Sequence, residues 1–363
     1  MPTIVDLPEQ IAALPAPQRM RFQRIFRVDR VAAACRIPEP MRPWVEQQFG
    51  SLRAVEQQCV VRVTNQVTFD GALFNPLRRW RPLALRNSPS STLFVPPGED
   101  LFADPLRMTT EDLFGRVRGR HCVTASNVAC WEGQCAVLIF DEPNPLAFTR
   151  DHLRDYFRVS LEWARRAHHH DPQARYLLWL WNGGPRGGAS IAHAHAQMGL
   201  GRGMHYAKVE RLRRAALAYR AQHGSNYFDD LLAAHQDVGL DIQAGQLRGF
   251  FYLAANRPKD AWLYGQAMDD ALADALHDLL RALIERTGMR AFDVGVLMPP
   301  LFPPLPVQVE EAEDWSGFPV IVRVGDRGAP DMLSSDVGAI DLYAHNTIAV
   351  DPFEVRRAWQ DER

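Results

Sequence analysis

The segment Asn182-Gly-Gly-Pro-Arg-Gly-Gly-Ala-Ser190-Ile-Ala-His193-Ala-His195-Ala-Gln197 concentrates residue types that do chemistry. On an extended chain alternate side chains share a face, so His193, His195 and Gln197 are expected to project together. Ala194 and Ala196 then point the other way and leave room for close packing. A neutral imidazole is a competent nucleophile near pH 7 and an acceptable leaving group in the return step. One ring nitrogen must hold the proton, usually against a backbone carbonyl, so that the other can attack. The corresponding reaction is attack on an α-phosphorus with loss of a phosphorylated leaving group. A second phosphate or hydroxyl then takes the nucleotidyl group from the histidine. Gly183, Gly184, Gly187 and Gly188 let loop N–H groups approach an anion closely. Ser190 adds a hydroxyl donor and Arg186 a charge-assisted contact. Loop N–H groups and Gln197 would stabilise charge on the phosphoryl oxygens.

A single H-x-H is common, and more often a surface or core pair than a site. Two histidines on one face are also a standard metal-ligand geometry. The fusion of H-x-H-x-Q to a glycine-rich loop that holds Asn182 and Ser190 is far more specific than either.

The elements that must position this segment are legible around it. Residues 1–57 read as a helical, amphipathic extension broken by Pro40 and Pro43, with QRMRFQRIFRVDRVAAAC as its clearest stretch. CVVRVTNQVTF and ALFNPLRRWRPLALR, separated by Asp70-Gly71, read as a hairpin. The Ser- and Pro-rich stretch 87–100 reads as loop. RHCVTASNV and QCAVLIFD read as strands, residues 150–168 as a helix capped by Thr149 or Asp151, and ARYLLWLWN as a buried strand. A short strand follows around AHAHAQM, then a basic helix over about 205–222. The remainder repeats the order strand, strand, helix, strand, strand, without residue-level similarity. Segregated antiparallel strands and helices indicate an α+β fold, divided as an extension over 1–57, a catalytic half over 58–204 and a second half over 205–363. Trp131, Trp179, Trp181 and Trp262 read as core, with one of them available to stack on a base.

Composition narrows the class. Hydrophobic residues make up 47% and charged residues 23% of the 363 positions, an ordinary globular balance. With 41 Lys+Arg against 43 Asp+Glu the net charge is −2, which offers no basic field for a nucleic-acid polymer. No C-x-x-C occurs among the 5 cysteines, so no local zinc knuckle or disulfide framework is encoded. No apolar run approaches the roughly 20 residues of a membrane span, and the N-terminus lacks the apolar core of a signal peptide. A cytoplasmic location is expected.

These residues resemble the galactose-1-phosphate uridylyltransferase and diadenosine tetraphosphate phosphorylase branch of the histidine-triad superfamily. That branch carries N-x-G-x-x-x-G-x-S-x-x-H-x-H-x-Q, matched here by Asn182, Gly184, Gly188, Ser190, His193, His195 and Gln197 without a gap. The resemblance implies two histidine-triad-like halves with antiparallel, half-barrel sheets flanked by helices, only the first half bearing the motif. It implies that His195 is the nucleophile, and that Gln197 contacts the phosphoryl group where hydrolytic relatives have a third histidine. Weaker matches are Phe74-Asn75-Pro76-Leu77, the terminal SSDVGAIDLYAHNTIAVDPFE, and Ser126-Asn127 before AVLIFDEPNP, which would set Asn127 against the nucleoside.

The chain also departs from that pattern. Uridylyltransferases often hold a structural metal through a C-x-x-C pair, a histidine and the first motif histidine. Here the corresponding region reads SSTLFVPP, and Phe148 stands near the place of the extra histidine. His193 is therefore expected to orient rather than to bind metal, and no cofactor is expected to be required. The expected partners are a nucleotide or nucleotide-sugar donor, a phosphorylated acceptor and, by resemblance, a second copy in a homodimer. Phosphorolysis of a dinucleoside polyphosphate and nucleotide binding without turnover are the alternative activities.

Overall fold

The computed structural model describes residues 2–80, 100–304, 313–332 and 338–360. Most of the 87–100 loop, the SSTLFVPP stretch, residues 305–312 of the Pro-rich acidic loop and part of the terminal match therefore lie outside the described residues. Thirteen strands are present among those described: β1 (Phe26–Ala34), β2 (Gln57–Asn65), β3 (Gly71–Phe74), β4 (Cys122–Ser126), β5 (Gln134–Phe140), β6 (Ala174–Gly183), β7 (His195–Arg202), β8 (Asp241–Ala244), β9 (Leu247–Phe251), β10 (Ala261–Gly265), β11 (Phe292–Leu297), β12 (Val320–Asp326) and β13 (His345–Ile348). The helices are α1 (Leu7–Ala13), α2 (Ala16–Ile25), α3 (Arg42–Phe49), α4 (Leu52–Glu56), α5 (Pro105–Met108), α6 (Arg150–His170), α7 (Ala207–His223), α8 (Tyr227–Asp237), α9 (Asp270–Thr287) and α10 (Pro352–Gln360).

Nine strands form one sheet in the order β4-β5-β7-β6-β11-β12-β10-β9-β8. The first half runs β4, β5, α6, β6, β7 along the chain and is laid out 4-5-7-6. The second runs β9, β10, α9, β11, β12 and is laid out 9-10-12-11, the same topology. The halves join where β6 and β11 pair antiparallel, with Trp181 opposite Val294 and Asn182 opposite Asp293. The edge strands β4 and β8 do not meet, so the sheet stays open, and the α+β expectation holds. A second sheet, β1-β2-β3-β13, contains the one parallel pairing among the described residues, β3 with β13.

The helical reading of residues 1–57 is corrected within its clearest stretch. α2 stops at Ile25, and Phe26–Ala34 pair with β2 from Phe26 opposite Asn65 to Ala34 opposite Gln57. The run of valines and alanines after Ile25 finds a nine-residue partner strand, and that ladder overrides helical propensity. The expected hairpin is present, but its second strand ends at Phe74 and its turn spans 66–70, wider than Asp70-Gly71 alone.

Helix α6 begins where Thr149 Oγ1 accepts the His152 amide at 3.3 Å, and α9 where Asp269 Oδ1 accepts that of Leu272 at 2.9 Å. Both cap orphan donors of the first turn. Each helix buries a stripe, with Leu153, Tyr156, Phe157, Trp163 and Ala167 on α6 and Leu272, Leu276, Leu279 and Leu283 on α9. These meet one face of the sheet, where Ala196 and Met198 of β7, Trp179 and Trp181 of β6 and Val322 and Val324 of β12 join a single core. Burial of each such large side chain contributes roughly 1.5–3 kcal/mol. On the other face, β9, β10 and β12 of the second half present Phe250, Trp262 and Ile321, which with Tyr252 pack against α8 and α2. Over the first half that face is thinly covered, chiefly by Phe102 on Val123, Ala125 and Ile139.

Candidate active site

Strand alternation decides what faces this thinly covered side. Ala194, Ala196 and Met198 enter the helix-side core, so His195 and Gln197 take the opposite face, as the sequence anticipates. The register sets Gln197 between Val137 of β5 and Leu180 of β6. Two residues along, His195 pairs with Ile139 of β5, and Asn182, the next position after the Trp181–Ala196 pair of β6 and β7, lies opposite Asp293 of the second half.

His195 is 4% exposed. Its Nδ1 donates to the carbonyl oxygen of His193 at 2.8 Å, which fixes the tautomer and leaves the Nε2 lone pair available. Burial lowers its pKa below 6.5, against the raising effect of the carbonyl, and the neighbouring His193 lowers it slightly further. The ring is therefore neutral at pH 7. Phe102 stands edge-on to both imidazoles, with ring centroids 5.2 Å from His195 and 5.9 Å from His193.

His193 precedes β7 and is buried. Its Nδ1 is 2.6 Å from Asp100 Oδ2 and its Nε2 is 2.7 Å from the Phe140 carbonyl. Both ring nitrogens are thus engaged by oxygen partners. Neither nitrogen is offered to a metal ion. Among the described residues no group of three or more His, Cys, Asp or Glu is arranged to hold one. Phe148 is buried edge-on against Trp181.

The glycine-rich loop is tight because its glycines permit it. Gly184 and Gly188 take φ of 85° and 103°, conformations that L side chains rarely adopt. A Cβ on Gly187 would lie 2.7 Å from the Phe292 carbonyl oxygen. The loop corrects one expectation. The amides of Gly187, Gly188 and Ala189 donate to Gly184 or Pro185 carbonyls at 2.9–3.4 Å, because the 3-10 turn Pro185–Gly187 closes on itself. Those amides are not turned to an anion. The side chains of Asn182, Ser190 and Gln197, by contrast, make no hydrogen bond among the described residues. Arg186 is half-buried, and its Nε donates to the Arg327 carbonyl at 3.2 Å. Arg327 reaches back to the Gly187 carbonyl at 3.3 Å and to Asp293 at 2.9 Å, so second-half residues brace the loop.

Asn127 lies further along the face. Its amide donates to the Cys135 carbonyl, and its Oδ1 accepts the Ala129 amide at 3.1 Å. Cys135 is in register with Gly199, four residues along β7 from His195 and about 13 Å away at the usual strand rise. Of the four tryptophans, Trp179, Trp181 and Trp262 are core, whereas Trp131 is 42% exposed. A Cβ on Gly199 would lie 2.5 Å from the Trp131 ring, so the indole rests directly on the strand.

Sequence reasoning missed Asp100, Phe102, Asp293 and Arg327. Asp100 closes a Ser- and Pro-rich loop that carries no periodic signal. Phe102, on the turn that follows it, reaches the motif by packing on β4 and β5, and Asp293 and Arg327 come together with the motif only through the sheet order. The histidine run ending α6 is partly packed: His168 donates to the Ala174 carbonyl at 2.8 Å and stacks on Phe302, while His169 and His170 are exposed.

No protein-family profile matches the sequence, and no curated protein matches it. Solved structures do. An ADP-glucose phosphorylase from Arabidopsis thaliana with bound ADP-glucose aligns at 15% identity and TM-score 0.60, over 83% of this chain and 98% of that one. A galt-like protein from Arabidopsis thaliana aligns at 14% and 0.59, over 82% and 97%. A uridylyltransferase aligns at 16% and 0.55, over 84% and 99%. The chain has the uridylyltransferase fold. Within that fold the motif loop and β7 lie beside the β6–β11 junction of the two halves. In the second half, β12 takes the place of β7 and carries Ile321 and Arg323 on this face, with no H-x-H. No helix among the described residues is long and apolar enough to cross a membrane.

Proposed function

We propose that the protein is a nucleotidyltransferase that moves a nucleoside monophosphate group between phosphorylated small molecules through a nucleotidyl-His195 intermediate. The observation that carries this reading is the orientation of His195. Its Nδ1–H is held by the His193 carbonyl, which leaves the Nε2 lone pair available, and the motif side chains of Asn182, Ser190 and Gln197 make no hydrogen bond among the described residues.

In the first step Nε2 attacks the α-phosphorus in line with the bridging oxygen. The P–N bond forms, the P–O bond to the leaving phosphate breaks, and that phosphate departs with the bonding pair. The positive charge that appears on the ring is offset by the carbonyl at Nδ1, so no proton has to move. In the second step an acceptor phosphate oxygen attacks, the P–N bond breaks and neutral His195 returns. Gln197, Asn182 and Ser190 donate to phosphoryl oxygens, a preorganised electrostatic role. A glutamine cannot act as an acid, which favours transfer over hydrolysis. The ADP-glucose phosphorylase likeness makes inorganic phosphate an acceptor worth including and ADP-glucose a donor worth including.

The test is intact-mass spectrometry after an alkaline quench, which preserves phosphoramidates. The donors are nucleoside diphosphate sugars, nucleoside triphosphates and dinucleoside tetraphosphates, with His195→Gly as control. A nucleoside monophosphate adduct absent from the variant is the expected result. Nucleotide binding without adduct or turnover would replace this reading with that of a binding protein.

A further inference from the structure

The sheet face that carries the motif continues into the second half. The row through Gln197 continues over Leu180 and Gly295 to Arg323 on β12. A Cβ on Gly295 would meet nothing closer than Leu297 Cδ1 at 4.0 Å, so the floor is open there. The row through His195 continues over Asn182 and Asp293 to Gly325. A Cβ on Gly325 would lie 2.9 Å from Arg257 Cβ, which puts Arg257 on this face. From β7 to β12 is three strand spacings, roughly 14 Å between backbones.

Three cations converge at that end on one residue, Asn256. Arg257 Nη1 donates to its backbone carbonyl at 2.8 Å. With the amide turned so that its oxygen faces them, Asn256 accepts from Lys208 Nζ at 3.0 Å and from Arg323 at 2.9 Å. The nearby carboxylates are already engaged. Asp260 takes Arg323 through both oxygens at 2.9 and 2.5 Å, and Asp70 takes Arg211 at 3.1 Å and the Thr68 hydroxyl at 3.0 Å. Arg213 and Arg214 of the same basic helix are paired with Glu210. Lys208 and Arg257 have no carboxylate partner among the described residues, and Arg257 Nε is buried without a hydrogen bond. Lys208 is open to solvent. The Arg323 guanidinium and burial lower its pKa to about 8, against the opposing pull of Asp70 and Asp260. The surroundings therefore leave its positive charge under-compensated.

We propose that Lys208 and Arg257 form a second anion subsite, which binds an anionic group of the acceptor remote from the phosphate that reacts at His195. The subsite rests on the nucleotidyl-transfer reading for its meaning, but its binding can be measured without turnover. The acceptor class it selects is a small molecule bearing two anions, a phosphate at the reacting end and a phosphate or carboxylate at the other. Paired charge-assisted contacts of this kind discriminate strongly against a ligand that lacks the second anion.

The test is calorimetric binding of glucose 1-phosphate, glucose 1,6-bisphosphate and glucuronate 1-phosphate to the full chain, to Arg257→Gln and to Lys208→Met. Lys208 is exposed, so its variant retains the fold even if the Arg257 variant does not. The expected result is about tenfold tighter binding of at least one dianionic ligand than of glucose 1-phosphate. That preference should vanish in Lys208→Met and in folded Arg257→Gln, with glucose 1-phosphate itself changed less than twofold. Whichever ligand gains identifies the second anion as phosphate or carboxylate. Equal binding of all three, or a preference that survives Lys208→Met, overturns the subsite. Absence of a His195 adduct alongside an intact preference overturns the transfer reading and leaves the subsite standing.

Discussion

Asp100 Oδ2 stands 2.6 Å from His193 Nδ1, and the carbonyl of that same His193 holds Nδ1 of His195 at 2.8 Å. The carboxylate thus reaches the candidate nucleophile through one side chain and one backbone group, on a chain segment 93 residues from the motif. Asp100→Asn keeps the shape and weakens the pairing, and Asp100→Ala leaves a buried imidazole nitrogen facing no acceptor. We expect adduct formation to slow about 10- to 100-fold, the usual cost of losing a partner that orients a reactive ligand. KM for the donor should hardly change. Stability should fall by about 1–3 kcal/mol, as for an unsatisfied buried donor. Stopped-time mass analysis and denaturant unfolding measure both. A shift in KM alone would show that Asp100 acts on binding instead.

The neutral state of His195 has a kinetic signature. Burial keeps its pKa under 6.5, so this group leaves adduct formation flat with pH at neutrality and above. The rate should fall about tenfold per pH unit once the medium drops below that pKa. A rate that rises through pH 7–8 on account of this ring, located by its NMR titration, would contradict the assigned tautomer and charge.

Acid should destabilise the fold through two other buried histidines. Burial lowers His235 to about 3 and His205 to about 4, from 6.5 in the unfolded chain. Between those values the unfolded chain binds more protons. The stabilisation is therefore complete above pH 6.5 and is lost as pH falls towards the folded values. Each group contributes a slope of about 1.4 kcal/mol per pH unit in that window. His235 donates to Leu231 and accepts from the Leu253 amide, so His235→Gln preserves the acceptor. Unfolding free energies at pH 7, 6 and 5 should show that this variant has lost one proton of pH dependence.

Gly187→Ala tests the loop. The new methyl would meet the Phe292 carbonyl oxygen at 2.7 Å, so Pro185–Gly187 must shift away from β11. Transfer should drop by tenfold or more, with stability lowered by about 1–3 kcal/mol for the strained turn. Wild-type turnover in this variant would mean that the loop geometry does not position the phosphate.

The motif and its strand were legible because alternation on an extended chain needs only neighbouring residues. His195 and Gln197 share a face for that reason, and α6 and α9 begin at the capping residues that their own sequences supply. What escaped depends on contacts distant in sequence. The β1 ladder is fixed by a partner strand beginning at Gln57, and nothing local separates FRVDRVAAA from a helix. The apposition of Asn182 with Asp293, and the bracing of the loop by Arg327, follow from the β6–β11 junction. That junction is a property of the duplicated topology, and the two halves share no residue pattern from which to read it. The loop amides were misjudged because glycine content signals tight geometry without showing which way the N–H groups turn.

Trp131 supplies the last prediction. Its ring lies over Gly199 on the open face, next to the turn that holds Asn127, while the other three tryptophans named with it are buried. An exposed indole about four residues along β7 from the attacking nitrogen is placed to stack on a base whose phosphate sits at His195. Stacking of a base on an aromatic ring is worth roughly 1–3 kcal/mol. Trp131→Ala should therefore raise the KM of the nucleotide donor by about tenfold or more, with kcat within about twofold. Trp131→Phe should recover most of the loss. Gly199→Ala should mimic Trp131→Ala, because its methyl displaces the same ring. Steady-state kinetics with the donor that labels His195 decides the matter, and an unchanged KM in both Trp131→Ala and Gly199→Ala would place the base elsewhere in the groove.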